Sequence, residues 1–392
     1  MSSRAQPAPS PSPSASPPPA AAAPRPVRVT RSRRWPILPA IGAVAVIAVL
    51  AYLPYAVHEG TTSLLVNFFI LLILASMWNL LAGYAGLVSV GQQAFIGLGS
   101  YSVLIVGLHQ VSPFIGLPAA VVACGAIGLV VWWLLSRLRS GYFAIATWVI
   151  ASIANLIIIR FPSLGGGTGE PLEGMPTGNP TLLNAEIYWT SLAATVIVLV
   201  VLYAVLRGRL GLVLTAMRDD ETGARSIGAR VTRAQLLVFV IAAGGCGAAG
   251  ALELISQPFV QPTAAFSVQW TAEMIFACLI GGIGTIEGPI LGTIVFFALQ
   301  QWLANYGTWY FIVLGAIAIA VAIWAPRGLW GLISERLNIR LFPVGYILWP
   351  AAGSLADRGS SPAGGSAPGG GSSAAAGPPA LHQLLRRLGR RG

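Results

Sequence analysis

Apolar stretches of about 20 residues recur along the chain, separated by short polar or glycine-rich breaks. A helix of that length rises about 30 Å, enough to cross the hydrocarbon core of a bilayer. Ten such stretches are expected: 35–57, 63–82, 88–108, 114–135, 142–159, 188–206, 236–255, 269–282, 288–303 and 309–325. The eighth and ninth are short and joined by glycine-rich sequence, so a re-entrant pair would lower the number of crossings to eight. The first stretch follows Arg31, Arg33 and Arg34, as the apolar region of a signal peptide would. It is too long for that role and ends without a clear small-x-small cleavage site, so it reads as an uncleaved span. The pattern predicts an all-α polytopic transmembrane helical bundle over 35–335.

Both flanks differ in character. Residues 1–34 are Pro, Ser and Ala with six Arg, a composition too poor in apolar residues to fold, and a disordered tail is expected. Residues 336–392 are expected to hold an interfacial segment, Leu341 to Pro350, then a flexible Gly/Ser/Ala/Pro linker over 351–380 and a short basic end.

Composition removes the soluble alternative. The 392 residues are 55% hydrophobic and 9% charged, against about 25% charged for soluble domains. The net charge is +11 and every one of the 23 basic residues is Arg. Placement of that charge points to membrane topology rather than nucleic acid. With ten spans and a cytoplasmic N-terminus, 22 of the 23 Arg fall in inward segments, and Arg160 alone lies outside. That asymmetry is the positive-inside pattern, and it puts both termini in the cytoplasm of a multi-pass inner-membrane protein.

The absence of Lys has a chemical consequence. A Walker A loop needs Lys to reach nucleotide phosphates, so this chain holds none, and any ATP hydrolysis must occur in another subunit. Cys124, Cys246 and Cys278 sit singly in apolar runs, and His58, His109 and His382 lie in loops or tail. None has metal-ligand spacing. No HExxH, paired midmembrane Asp or intramembrane His supports an intramembrane enzyme. A stand-alone secondary transporter would want a midplane carboxylate, and none is firmly central.

Polar residues inside spans are few. Asn79, Ser89, Gln92 and Gln93 lie on or beside the glycine-rich segment after the second span, with Thr147, Ser152 and Asn155 in the fifth. They either line a solute path or bond helix to helix. Glu253 is expected at the outer interface. Glu273 lies one turn into the eighth span, hydrated or bonded to backbone or a neighbouring subunit. The outer loop 160–187 is long, a plain connector or a docking surface.

The longest inward loop, 207–235, starts with two Arg, carries Asp219, Asp220 and Glu221, and reaches Gly228. Leu214 to Ile227 contains no Pro and one Gly, so a short helix is expected. Leu214, Met217, Ala224 and Ile227 share one side, with charges facing a partner or water.

This loop resembles the coupling loop of permeases in the branched-chain amino acid ABC importer family, within the LivM branch that also holds urea-type permeases. The match runs through Arg218, Asp219-Asp220-Glu221, Gly223-Ala224 and Ile227-Gly228; Arg225 stands where an acidic residue is common. Three more segments are similar to the family in the same order: Asn79 to Tyr101, Gly281 to Gly292 (GGIGTIEGPILG), and Ala325 to Gly331 (APRGLWG).

The resemblance implies an importer permease subunit without chemistry of its own. Its expected solute is a branched-chain amino acid, with urea or short amides next. Implied partners are a homologous second permease of the LivH type, two ABC ATPases that bind the ATP and Mg, an extracytoplasmic solute-binding protein and the lipid bilayer. It assigns Arg218, Asp219, Asp220, Glu221, Ala224 and Gly228 to ATPase coupling. Gly281, Gly282, Gly284 and Glu273 become gating or structural residues, and Asn79, Ser89, Gln92, Gln93, Thr147 and Asn155 candidates for the path.

Overall fold

A computed structural model describes residues 27–30, 37–56, 59–138, 140–175, 180–219, 221–226, 228–303, 309–325, 328–337 and 347–350. They form two compact units. One contains two short strands, β1 (Val27–Thr30) and β4 (Ile347–Pro350), paired antiparallel with Val27 opposite Pro350 and Thr30 opposite Ile347. These residues come from the expected disordered tail and the expected interfacial segment. The rest of both tails lies outside the described residues.

The other unit is a helical bundle. In chain order it contains α1 (Ile37–Ala56), α2 (Glu59–Asn79), α3 (Gln93–Leu108), α4 (Pro113–Leu135), α5 (Ser140–Ile159), α6 (Pro180–Arg207), α7 (Arg209–Asp219) and α8 (Glu221–Ser226). Then follow α9 (Val231–Ser256), α10 (Pro262–Ala265), α11 (Val268–Gly281), α12 (Glu287–Leu303), α13 (Trp309–Trp324) and α14 (Gly328–Leu337). All ten apolar stretches are helical over most of their length. Six helical segments are both long and apolar enough to cross a membrane: Gly60–Tyr84, Pro113–Leu135, Gly141–Ile159, Pro180–Arg207, Val231–Ser256 and Pro262–Gly281. Ile41–Ala56, Gln93–Leu108 and Ile312–Val321 are shorter apolar helices. Helices suit this composition because each satisfies its backbone hydrogen bonds internally, which lipid cannot do.

Burial divides the helices. The apolar windows of α9 and α2 are 83% and 78% buried within the bundle, while that of α5 is 22% buried and carries exposed Tyr142, Ile145, Trp148 and Leu156. The former are the core and the latter offers an apolar surface to lipid or to another subunit. The reason α9 can sit at the centre lies in its run Ala242 to Ala251, made only of Ala, Gly and Cys. Small residues let backbones approach closely, and packing is what holds helices together in lipid. A Cβ on Gly99 of α3 would lie 2.7 Å from the Gly247 Cα. One on Gly250 would strike the Ile96 carbonyl, and one on Gly245 would lie 2.6 Å from Cγ of Met77 on α2. Ser100 Oγ adds a 2.7 Å hydrogen bond to the Gly250 carbonyl.

The second central helix does not run cleanly into the next. From Asn79 it loosens into a π-helical turn, Leu80–Tyr84, and the chain is then irregular until α3 begins at Gln93. Helix was expected from residue 88, but 88–92 belong to an irregular connection, near the start of which Gly86 takes φ 68°. Irregular backbone inside a bundle survives only when protein satisfies it. Leu87 N donates to the Leu81 carbonyl at 3.0 Å, and Trp78 Nε1 donates to the Ser89 carbonyl at 3.0 Å. Val90 N donates to Thr147 Oγ1 on α5 at 3.2 Å.

Candidate functional site

Where α2 loosens, four separate parts of the chain meet. Asn79 is fully buried, and both ends of its amide are engaged by the loop between α11 and α12. Gly284 N donates to Asn79 Oδ1 at 2.8 Å, and Asn79 Nδ2 donates to the Thr285 carbonyl at 2.8 Å. From the other side, Arg218 Nη1 at the end of α7 donates to the Gly284 carbonyl at 3.3 Å. Gly284 thus takes Asn79 on its N–H and Arg218 on its C=O. Gly83, one turn beyond Asn79, packs so closely that a Cβ there would lie 2.6 Å from the Gly284 nitrogen. Gly328, the first residue of α14, lies against Gly282, where a Cβ would sit 2.7 Å from the Gly281 carbonyl carbon.

The loop has to be glycine for conformational reasons too. Gly282, Gly284 and Gly328 have φ of 122°, 80° and 69°, a region that side chains enter at a cost of roughly 1–2 kcal/mol. Thr285 closes the turn into α12: its Oγ1 donates to the Gly282 carbonyl at 3.1 Å and accepts from Gly288 N at 3.0 Å. Glu287 occupies the first turn of α12, where the helix dipole favours negative charge. The hairpin beyond is tight, with Gly292 against the Ala277 carbonyl and Gly281 against Gly288.

The loop 207–235 is helical, as expected, in two pieces, α7 and α8, and α7 begins earlier than Leu214. Leu214, Met217 and Ala224 are buried. The apolar side therefore packs on the chain's own bundle, against α6, α9 and the π-helical turn, and leaves Arg218 and Arg225 exposed. Gly228 turns the chain at φ 84. Asp220 and Ile227 lie outside the described residues, as do the side chains of Asp219 and Glu221.

The remaining polar positions separate into two kinds. Ser89 and Thr147 are pins: Ser89 Oγ accepts from Gly91 N at 3.4 Å, and Thr147 Oγ1 accepts from Val90 N while donating to the Ala144 carbonyl at 2.8 Å. Gln92 and Gln93, which open α3, are fully buried and half satisfied. Gln92 Oε1 accepts from Cys246 Sγ on α9 at 3.3 Å, and Gln93 Oε1 accepts from Thr271 Oγ1 on α11. Nε2 of each has no hydrogen-bond partner. An unmet buried donor costs about 1–3 kcal/mol. Asn155 Oδ1 is likewise unpaired, while Ser152 is exposed and bonds its own helix.

At the opposite end of these helices, Glu273 is buried and accepts from Gln269 Nε2 at 2.8 Å. Glu253 accepts from Gln257 Nε2 at 2.8 Å; it is half-buried rather than exposed. A two-residue strand pair, β2 (Glu170–Pro171) with β3 (Phe259–Val260), fastens the long outer loop there. Beside it, a cavity of about 410 Å³ opens between α2, α6 and α9, lined by Thr62, Ser63, Asn67, Asn184, Ser256 and Gln257 among others. Sequence reasoning missed these polar residues and Thr271. They stand singly or in short polar runs near the ends of apolar stretches, and only the fold brings them together. Among the described residues, no group of three or more His, Cys, Asp and Glu could hold a metal ion.

The family described as branched-chain amino acid transport system / permease component matches residues 60–322. The chain is 26% identical to the high-affinity branched-chain amino acid transport system permease protein LivM of Escherichia coli, over 73% of this chain and 74% of that one. It is 25% identical to its Salmonella typhimurium counterpart over the same shares. It is also 25% identical to the galactose/methyl galactoside import permease protein MglC of Haemophilus influenzae, over 66% of this chain and 86% of that one. No solved structure matches the chain.

Proposed function

The chain belongs to the family of permease components of branched-chain amino acid transport systems, and from that premise we propose that it is the membrane subunit of an ATP-driven importer for a branched-chain amino acid. Its helices cross the inner membrane beside a homologous permease. Two ATPase subunits, which carry the ATP and Mg, engage the exposed side of 207–228, and an extracytoplasmic binding protein delivers the solute. The chain itself makes and breaks no covalent bond.

The observation that carries this reading is the meeting point at Gly284. The segment expected to face the ATPases is held by Arg218 to the same loop that holds Asn79, at the loosened end of a central helix. A displacement of α7 is therefore transmitted to the irregular stretch 85–92 and to α3. A partly exposed arginine bond is weak enough to break and re-form in a cycle; hydrogen bonds to charged groups contribute about 1.5–3 kcal/mol at most. The buried amide pair of Asn79 is the firmer half.

The test separates hydrolysis from transport. In proteoliposomes holding both permeases and both ATPases, with leucine-loaded binding protein, Arg218→Gln should leave ATP hydrolysis within about twofold while uptake falls at least tenfold. Vigorous, nucleotide-independent leucine uptake by the purified chain alone would overturn the importer reading.

A further inference from the structure

Gln92 and Gln93 carry a feature that helix packing does not explain. Both are fully buried, adjacent, and each leaves an amide nitrogen without a partner. Turning either amide over exchanges which atom is left, yet one atom of each remains unmet, so the shortage does not depend on how nitrogen and oxygen are assigned. Buried polar groups are nearly always bonded, and exceptions in folded proteins ask for a reason. Two exceptions side by side, at the start of a 16-residue helix that follows a break in the core, share one.

We propose that Gln92 and Gln93 form a binding site for the carboxylate of the transported amino acid. This rests on the importer reading above and adds which end of the solute is recognised, and by what. In the orientation that gives each amide oxygen a donor, Cys246 Sγ for Gln92 and Thr271 Oγ1 for Gln93, the unmet atoms are the amide nitrogens, and they ask for an acceptor. They sit at the positive end of α3, which favours a negative one. No arginine or aspartate occupies the stretch from Asn79 to Leu108, so the site offers oriented amide donors rather than a full charge. A solute that must be released suits such a site.

The site is shut in this conformation, and its contacts indicate where it opens. Towards α9, α3 is fixed by backbone contacts at Gly99 and Gly250 and by the Ser100 bond. Towards α11, the hydrogen bond described is that of Thr271 to Gln93. Parting α3 from α11 frees the whole Gln93 amide while the α9 side stays together. α11 ends at Gly281, and the loop beyond it is held by Asn79 and Arg218, so the parting lies on the line of transmission from α7.

The experiment uses the assembled importer in proteoliposomes with saturating leucine-loaded binding protein. Gln92→Met and Gln93→Met remove the donors at similar volume, and each should lower the leucine uptake rate at least tenfold. Gln92→Asn keeps the donor and should retain more than a third of the rate. Wild-type uptake by either Met variant would overturn the proposal. So would an Asn variant as impaired as Met, since that marks packing rather than donation. Failure of the wild-type assembly to import leucine with ATP would instead count against the importer reading.

Discussion

Two glycine-lined contacts hold this bundle together, and they are built on different principles. Along the seam between α3 and α9, glycines lie in regular helix and press backbone on backbone, with Ser100 adding one bond. At the meeting point of Asn79, Arg218 and the 282–285 loop, glycines take positive φ and the contact is made of directed hydrogen bonds. The first has no second arrangement at similar energy, because packed backbones tolerate little displacement. The second can come apart one bond at a time. The seam makes α3 and α9 one body, and the meeting point lets that body be addressed from α7.

The sharpest way to break the comparison is to overfill the seam. Gly250→Leu drives a side chain into the Ile96 carbonyl. The α3–α9 pair should then separate, a loss of more than about 3 kcal/mol, read as failure to recover monodisperse protein in detergent. Next comes Asn79→Ala, which strips partners from Gly284 N–H and the Thr285 carbonyl. It should cost about 2–4 kcal/mol, measured as a lower Tm, with uptake lost. Asn79→Asp should fall between, because it can still accept from Gly284 but cannot donate to Thr285. Gly284→Ala is smaller, about 1–2 kcal/mol for its φ of 80°, and the added methyl also displaces the Arg218 guanidinium. It should therefore lower the ratio of uptake to hydrolysis more than it lowers Tm. Smallest in stability is Asp220→Arg with Glu221→Arg. Tm should move within about 0.5 kcal/mol equivalent, while co-purification with the ATPases drops several-fold. Unchanged co-purification and uptake would remove the coupling assignment of 219–221.

Much of this arrangement is legible in one sequence, and what is not has a common cause. The apolar stretches are local signals, and each is a helix. The side shared by Leu214, Met217 and Ala224 is also local, and those residues do face together. What they face is not local: they lie on the chain's own bundle. Four motifs could be seen in order, but nothing at residue 79 announces a bond to residue 284, more than 200 positions away. Asn79 thus reads from sequence as either a path residue or a helix-to-helix bond; in the fold its amide bonds the backbone of a loop, at Gly284 and Thr285. The break over 88–92 was obscured because Val88 and Val90 are as apolar as a helix would want. Its backbone is satisfied by Thr147 and by its own turns, which hydropathy does not register.

The small ribbon of β1 and β4 carries a topological consequence. Strands that share hydrogen bonds occupy one compartment, so Thr30 and Ile347 lie on the same side of the lipid. A chain that leaves a compartment and returns to it has crossed an even number of times. For a chain that spans a membrane, the ribbon thus sets a condition of parity on the passages between its two strands, and not their number.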